Sequence, residues 1–456
     1  MPDIVIVGAG PAGVRAAEAL HAEGIRPILI DEGRQAGGQG YRAPPAVLPL
    51  DIARLMGSQA AKYHALHACF TALRDAIDYR PDTLVWAVHD QTLHVVSQGH
   101  AATLRFDALI VATGAMDRII PMPGWTLPGV FTLGGAQVAL KDQGCFIGRR
   151  IVFCGSSPLL SLAAAQYLDL GADIAAVCDT TPYREKLLAA PRLANDPGTV
   201  LRGLGYLRQL QRGGVPVLHG VGLVAIEGAD RVEALMVRDR QGVEQRFTCD
   251  AVALGYGLKP ETQLADLAGA RFRYDGDVRM WLPSIDTDGR AGEKLYLAGD
   301  GSAIGGADAA EASGRLAAQA VLFDLGIGAA PNAALRRRVA RLRRFQKGLA
   351  KAFAWPSAQM RTLGDDVMLC RCEAISIGEV RRAMNEVLGP IEVNRVKAIT
   401  RCGMGRCQGR VCGPALQELV ASHAGIAPEA AGRLRGQAPV KPIAMAVSAT
   451  ATRAES

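Results

Sequence analysis

The chain has 456 residues, of which 49% are hydrophobic and 21% charged, so it is long enough for two or three packed domains. This composition excludes disordered and collagen-like classes, and 52 glycines with only 5% aromatic residues favour an α/β fold over an all-β fold. The net charge is +7, but eight Lys or Arg residues fall within residues 336–351, which contain no acid. Because few aromatic side chains are available for base stacking, we expect no nucleic-acid binding.

The first residues of the sequence and its apolar runs bear on the cellular location of the protein. Residues 3–7 already read as a strand and no basic segment precedes them, so we expect no secretory signal. No apolar run reaches 18 residues without a charge, Gly or Pro, so we expect no membrane span. The sequence therefore predicts a cytoplasmic protein, whose contact with the inner face of the cell membrane is at most peripheral.

Residues 3–32 are predicted to form a strand, a glycine turn, a helix and a second strand. Gly8, Gly10 and Gly13 follow the first strand and open the helix, and an acid follows about twenty residues later, as dinucleotide binding requires. Gly8 permits the tight turn, Gly10 lets the backbone approach a pyrophosphate, and Gly13 lets the helix pack on the strand. Asp31 at the end of the second strand can bond a ribose hydroxyl, and Glu32 is the weaker candidate for that role.

Four separated segments resemble the two-dinucleotide-domain flavoprotein oxidoreductases over roughly residues 1–330. They are residues 8–13 (Gly-Ala-Gly-Pro-Ala-Gly), 37–39 (Gly-Gly-Gln), 112–114 (Ala-Thr-Gly) and 298–300 (Ala-Gly-Asp). The resemblance implies FAD, with Asp300 on a ribityl hydroxyl and the next helix aiming its N-terminus at flavin N1 and the C2 carbonyl. The candidate FAD contacts are Gly8, Gly10, Pro11, Ala12, Gly13, Asp31, Glu32, Gly38, Gln39, Ala112, Thr113, Gly114, Gly299 and Asp300.

A second strand-turn-helix-strand unit begins near residue 150 and differs from the first. It keeps Gly155 but has Ser157 and Leu160 where the fingerprint has its second and third glycines. A Cβ at Ser157 would crowd a pyrophosphate, so we expect a degenerate nucleotide fold that does not bind NAD(P). No Cys-x-x-Cys lies near the flavin region, which leaves disulfide reductase chemistry unsupported.

Five of the ten cysteines crowd into residues 370–412, which in a reducing cytosol indicates metal ligation more often than disulfides. Cys370 with Cys372 and Cys407 with Cys412 give two thiolate pairs, which a helix over residues 377–388 could bring together. Four thiolates are the complement of a 2Fe-2S cluster, and nearby Lys and Arg residues suit its negative charge. A structural zinc site and free thiols are the alternatives.

The stretches 370–373 and 400–412 resemble the bacterioferritin-associated-ferredoxin type of 2Fe-2S domain. They resemble in particular the version fused to a flavoprotein in the larger subunit of opine oxidases, hydroxyproline dehydrogenases and hydrogen cyanide synthase. The spacing from Cys407 to Cys412 is wider than in simpler members of the family, which makes Cys402 a rival ligand. We rank Cys402 below the other four because it precedes the Gly-Met-Gly turn.

These segments predict an α/β protein with two Rossmann-like dinucleotide-binding domains and a small helical C-terminal 2Fe-2S domain. Residues 331–364 are expected to form a linker with an amphipathic helix, whose cationic face is either a solvated surface or a docking surface. The tail after residue 436 is expected to be frayed. The predicted divisions are 1–119 with 260–330 for the FAD domain, 120–259 for the second domain, 365–425 for the cluster domain and 426–456 for the tail.

The resemblance implies an electron-transferring subunit of a heteromeric dehydrogenase that oxidises a C–N bond of an amino acid, imino acid or opine. A second flavoprotein subunit would oxidise the substrate, and a small ferredoxin-like subunit is a further candidate partner. The chain's scattered histidines supply no acid-base constellation, so no catalytic residue is assigned. The alternatives are a subunit of the hydrogen cyanide synthase type that acts on glycine, a self-sufficient NAD(P)H-dependent reductase and a non-catalytic iron-sulfur module.

Overall fold

Short apolar runs that end in glycine turns form the strands of two parallel sheets in the computed structural model, which describes residues 1–45, 47–48, 50–386, 389–445 and 447. The strands and helices predicted in the first and second nucleotide-fold units are present. The helix predicted over residues 377–388 is present to Glu386, and Leu388 lies outside the described residues, as does the tail at 446 and 448–456.

The described residues form strands and helices with the following bounds. The strands are β1 (Ile4–Val7), β2 (Ile28–Ile30), β3 (Asp78–Arg80), β4 (Thr83–His89), β5 (Thr92–Ser97), β6 (His100–Arg105), β7 (Ala108–Val111), β8 (Ala115–Asp117), β9 (Val130–Thr132), β10 (Arg150–Gly155), β11 (Asp173–Asp179), β12 (Val217–His219), β13 (Gly222–Glu227), β14 (Ala234–Arg238), β15 (Glu244–Thr248), β16 (Ala251–Gly255), β17 (Leu258–Pro260), β18 (Phe272–Asp275), β19 (Met280–Pro283), β20 (Arg290–Gly292), β21 (Leu295–Leu297), β22 (Met368–Cys370) and β23 (Ile375–Ser376). The helices are α1 (Pro11–Ala22), α2 (Ile52–Met56), α3 (Ala60–Leu73), α4 (Leu133–Lys141), α5 (Leu159–Asp169), α6 (Tyr183–Leu193), α7 (Pro197–Arg212), α8 (Gln263–Leu267), α9 (Ala307–Asp324), α10 (Ala333–Ala352), α11 (Ser357–Thr362), α12 (Ile377–Glu386), α13 (Val393–Thr400) and α14 (Gly413–Ala424).

The first sheet has the strand order β20-β21-β7-β1-β2-β3, parallel except for β20 against β21. Its central strands are buried on both faces, which explains their continuous apolar runs. Helix α9 returns late in the chain and packs on α1, where Gly314 lies so close to Ala12 that an added Cβ would meet the Ala12 carbonyl oxygen at 2.0 Å. The sheet is thus built from the beginning of the chain and from residues 290–297.

The second sheet has the order β12-β11-β10-β16-β9 and is wholly parallel. Helices α5 and α7 pack together beside it, and the antiparallel strands β13–β15 follow β12. This architecture of two parallel nucleotide folds confirms the predicted α/β class.

The basic helix α10 lies against both folds, packing on α9 of the first and on α6 of the second. Asn332 caps its N-terminus by accepting hydrogen bonds from the backbone N–H groups of Ala334 and Leu335. Val339, Leu342 and Phe345 are buried, as the predicted amphipathic pattern requires. The helix is therefore an interdomain element with one exposed cationic face, rather than a freely solvated linker.

The C-terminal domain consists of the hairpin β22–β23 and the helices α12, α13 and α14. The predicted frayed tail is wrong for residues 437–441, because Val440 is buried and its N–H donates to the Trp86 carbonyl of the FAD domain. Lys441 also forms an ion pair with Glu32. Among the described residues no helix combines the length and the apolar character needed to span a bilayer.

Candidate functional site

Asp300 stands at the start of the turn that leads from the first sheet into α9. Its Oδ1 accepts hydrogen bonds from the backbone N–H groups of Gly305 (2.7 Å) and Gly306 (3.0 Å), which fixes the carboxylate beside the helix N-terminus. Burial raises the pKa of Asp300, although these two N–H groups act in the opposite direction. Residues 302–308 line a cavity together with Asp300, so the carboxylate and the positive end of the α9 dipole face the same space.

The glycine turn before α1 leaves room where a dinucleotide needs it. An added Cβ at Gly13 would meet the Gly8 carbonyl oxygen at 1.8 Å, so Gly13 permits the close packing of α1 on β1. At Gly10 the only neighbour of an added Cβ is the Gly38 Cα at 3.7 Å, so open space lies beside this backbone. Pro11 begins the helix and Ala12 is buried behind it. This cradle, which a side chain would fill, fits the pyrophosphate of FAD.

The two acids after β2 occupy different environments. Asp31 Oδ2 accepts from the Ala9 N–H at 2.5 Å and its Oδ1 accepts from the Gly33 N–H at 2.6 Å, so its carboxylate is held against the glycine turn. Burial is the largest influence on Asp31 and raises its pKa. Glu32 is exposed and paired with Lys441. The structure thus places Asp31 at the cradle and turns Glu32 outward, while Gly38 faces Gly10 and Gln39 is exposed.

The segment of Ala112, Thr113 and Gly114 follows β7 and joins the first fold to the C-terminal domain. Thr113 Oγ1 donates to the Glu261 carbonyl at 2.7 Å, and the Glu261 N–H donates to the Gly114 carbonyl at 2.9 Å. The Glu261 carboxylate is held by Arg410 through Nε at 2.6 Å and Nη2 at 3.0 Å. Arg410 lies between the two cysteines Cys407 and Cys412 in the sequence, so the cysteine domain is anchored to this segment through Glu261.

The cavity beside Asp300 has a volume of about 1160 Å³ and lies between the two folds and α10. Within the described ranges no histidine lines it. Lys62, Arg118 and Arg343 are among the cationic residues of its wall that sequence reasoning missed. For Arg343 a signal existed, since it follows the apolar Val339 by four residues and therefore lies on the same, inner face of the helix.

The nucleotide position of the second fold is occupied by contacts within the chain. Ser156 Oγ donates to the Ala354 carbonyl at 2.9 Å, and Ser157 Oγ accepts from the Leu159 N–H at 3.2 Å. Asp179 ends β11, where a ribose-binding acid would lie, and its Oδ2 accepts from Lys186 at 2.6 Å. A ribose could reach this carboxylate only by competing with that ion pair.

All five cysteines of the C-terminal domain converge. The Sγ atoms of Cys370, Cys402 and Cys412 lie within 4.8 Å of one another, and all three residues are buried. Cys407 is hydrogen-bonded to both Cys412 and Cys372, and Cys372 is the most exposed of the five. The structure therefore brings together the four proposed ligands and also places Cys402 among them.

The thiols share protons within this group. Hydrogen bonds from Cys402 and Cys412 lower the pKa of Cys370, and the hydrogen bond from Cys412 lowers the pKa of Cys407 to about 5. The same contacts raise the pKa of Cys412 well above its ordinary value. Thiols that lie this close together and share protons can bind the iron of a 2Fe-2S cluster as thiolates. The iron would then take the place of the shared protons.

Comparisons with known proteins agree with this geometry. Residues 2–315 match the family model of the pyridine nucleotide-disulphide oxidoreductases, and residues 368–422 match that of the BFD-like 2Fe-2S binding domain. An opine oxidase subunit of Agrobacterium tumefaciens (strain Ach5) is 36% identical, covering 97% of this chain and 90% of the relative. Hydrogen cyanide synthase subunit HcnB of Pseudomonas aeruginosa is 33% identical, covering 90% of each.

A solved structure shares the fold over nearly the whole chain. It is L-proline dehydrogenase from P. horikoshii, which has a TM-score of 0.74 and 20% identity and covers 98% of this chain and 79% of that one. The family matches and the two sites together make the protein a flavin-dependent oxidoreductase that binds FAD and a 2Fe-2S cluster. The chain belongs to the pyridine nucleotide-disulphide oxidoreductase family, among the members that carry a BFD-like 2Fe-2S domain and are homologous to this opine oxidase subunit.

Proposed function

We propose that this chain is the electron-transferring subunit of a heteromeric dehydrogenase that oxidises a C–N bond of an amino acid, imino acid or opine. The observation that carries the proposal is the contact between the two redox domains. Arg410 of the cysteine domain holds Glu261, whose backbone is bonded to Thr113 and Gly114 of the FAD domain. A cluster anchored in this way lies on the flavin domain itself, as a relay requires.

The names of the relatives support a role within a larger enzyme. The opine oxidase relative and HcnB are each named as one subunit, which favours a partner that completes the enzyme. We assign substrate oxidation to a second flavoprotein subunit, because the cavity wall of the described chain contains no histidine and the cationic Lys62 is paired with Asp308. A small ferredoxin-like subunit is a further candidate partner.

Two alternatives lead to different experiments. Self-sufficient reduction by NAD(P)H would require ribose binding at Asp179, where Lys186 is already bound, so NADH should leave the flavin of the isolated chain oxidised. Opines, amino acids including glycine, and imino acids are the candidate substrates, and relatives named both opine oxidase and hydrogen cyanide synthase favour no single one of them.

The proposal is tested on the complex purified with its partner subunits. Substrate is mixed anaerobically with the complex, and the absorption of both flavin and cluster is followed within one turnover. We expect the 2Fe-2S cluster of this chain to be reduced at a rate at least equal to steady-state turnover. A cluster that stays oxidised while substrate is consumed would instead favour the non-catalytic iron-sulfur module.

A further inference from the structure

The inner face of α10 reaches the wall of the FAD cavity. Arg343 lines this cavity, and its Nη2 donates a hydrogen bond of 2.8 Å to Ser302 Oγ, which in turn donates to the Gly299 carbonyl. One turn further along α10, Gln346 lies over the start of α9, where its Nε2 is 3.4 Å from the position of a Cβ on Gly306. Helix α10 therefore places a guanidinium beside the N-terminus of α9.

The charge of Arg343 is buried but is not neutralised in the way that two other cations of the helix are. Arg336 forms an ion pair with Asp288, and Lys347 forms one with Asp275. Arg343 makes no ion pair with any residue that the structure describes, and the charged groups that act on it are Asp300 and Arg273. Burial lowers the pKa of Arg343, because the loss of hydration destabilises its charged form.

Asp300 attracts this cation from beyond ion-pair distance, so a ligand that brings negative charge into the cavity would supply the close partner that Arg343 lacks among the described residues. The cavity that Arg343 faces also contains Asp300 and the α9 N-terminus, which are the features that fit the flavin end of FAD. Two-electron reduction of a flavin, or addition of a nucleophile to it, places negative charge on its pyrimidine ring.

We propose that Arg343 is a cationic partner of the bound flavin that stabilises the negative charge of its reduced form. This inference rests on FAD binding alone and not on the electron-transfer role proposed above. Arg343 thus adds a side-chain charge to the dipole of α9, and both raise the tendency of the flavin to accept electrons. The basic helix then has two roles, since its inner face serves the cofactor and its outer face remains exposed.

Sulfite is the probe for this charge, and no substrate or partner is needed. The sulfur lone pair of sulfite forms a bond to N5 of oxidised flavin, and the displaced ring electrons leave the negative charge on the pyrimidine ring. The dissociation constant for sulfite, read from bleaching of the flavin band, therefore reports the positive charge near that ring. The flavin reduction potential of the same samples, measured against reference dyes, is the second readout.

We compare Arg343→Gln, Arg343→Lys and the matched control Arg344→Gln, whose side chain is exposed on the next position of the same helix. Removing a charged hydrogen-bond partner should weaken sulfite binding about tenfold or more in Arg343→Gln and lower its flavin potential. Arg343→Lys should recover most of the affinity, and Arg344→Gln should match the wild type.

Unchanged sulfite affinity in FAD-loaded Arg343→Gln would overturn the proposal. If Arg343→Gln does not retain FAD, then FAD titration of the apoproteins takes the place of sulfite. Retention of FAD by Arg343→Lys but not by Arg343→Gln would support a role for the charge. Equal loss of FAD from both variants would contradict it, because altered packing rather than the missing charge would then explain the loss of FAD.

Discussion

At the scale of single residues, the glycines before α1 have separable roles that mutation can distinguish. Gly10 has φ −76°, which any residue adopts, and its added Cβ would meet only the Gly38 Cα at 3.7 Å. Gly10→Ala should therefore fold with the melting temperature of the wild-type apoprotein but fail to bind FAD, because its methyl group would occupy the pyrophosphate position. Flavin absorbance per chain, measured after gel filtration, checks this outcome.

Two other glycines provide the comparison for Gly10→Ala. Gly13→Ala would bring a Cβ to 1.8 Å from the Gly8 carbonyl oxygen, so this variant should unfold rather than merely lose FAD. Gly205→Ala lies in α7 away from the cavity, with no atom near the added Cβ, so it should keep both the fold and FAD. A Gly10→Ala protein with full flavin content would show that the pyrophosphate lies elsewhere.

The five thiols pose a second question at the residue scale, namely which four hold the cluster. We predict that changing Cys370, Cys372, Cys407 or Cys412 to Ser abolishes the 2Fe-2S absorption and removes about two irons per chain. We predict that Cys402→Ser keeps the cluster, although Cys402 is as buried as Cys370 and Cys412. Iron analysis with the visible spectrum measures both outcomes. If Cys402→Ser loses its iron and Cys372→Ser keeps it, then Cys402 is a ligand of the cluster and Cys372 is not.

At the scale of elements, one buried ion pair attaches the cysteine domain to the FAD domain. Burial raises the pKa of Glu261, but Arg410 outweighs it, so the folded-state pKa lies below the ordinary value of 4.5. Glu261→Gln would leave the Arg410 charge buried without a counter-ion, which should cost about 3 kcal/mol of unfolding free energy. Urea denaturation followed at the cluster absorption band measures this loss.

The pH dependence of this effect has a definite sign. A carboxylate whose folded-state pKa is depressed contributes stability above pH 4.5 and loses it as the pH falls through the folded-state pKa. The difference between wild type and Glu261→Gln should therefore narrow toward pH 4. Glu244→Gln is the matched control, because Glu244 forms an exposed pair with Arg238 and should change the free energy by less than about 1 kcal/mol. If Glu261→Gln and Glu244→Gln lower the free energy of unfolding equally, then Glu261 does not anchor the cysteine domain.

Helix α10 presents a second, outward-facing surface. Arg337, Arg338, Arg341 and Arg344 are exposed, and none of them forms an ion pair in the described part of the chain. We predict that reversing Arg337, Arg341 and Arg344 to Glu prevents assembly with the partner subunit, because an acidic partner surface would then be repelled. Co-purification of the partner with a tagged chain measures assembly.

The control for this helix keeps the number of reversed charges and moves them elsewhere. Arg105 on β6 and Arg231 and Arg240 in loops are exposed away from α10, and their reversal to Glu should leave assembly intact. If both triple variants assemble normally, the outer face of α10 is only a solvated surface.

At the scale of the whole molecule, the sequence predicted what local chemistry determines. The strand, glycine turn and helix at residues 4–22 were predictable because apolar runs and glycines specify them within one short segment. The place of Arg343 was not, since it depends on how α10 packs between α9 of the first fold and α6 of the second. The approach of Cys402 to Cys370 and Cys412 was not predictable either, because spacing alone could not show where the turn after α13 places its thiol. The order of residues 437–441 likewise depends on contacts with distant parts of the FAD domain, such as Trp86 and Glu32.

The last prediction concerns the chain as a unit. The isolated chain should oxidise no amine, opine or imino acid, and should gain activity only with a second flavoprotein subunit. The reason is that its two redox centres suit electron relay, while its cavity wall offers no histidine among the described residues. The measurement is reduction of an artificial acceptor by the chain purified free of other subunits, with dithionite reduction of flavin and cluster as the control for intact cofactors. Substrate-dependent turnover by the isolated chain would show that it has a catalytic site of its own.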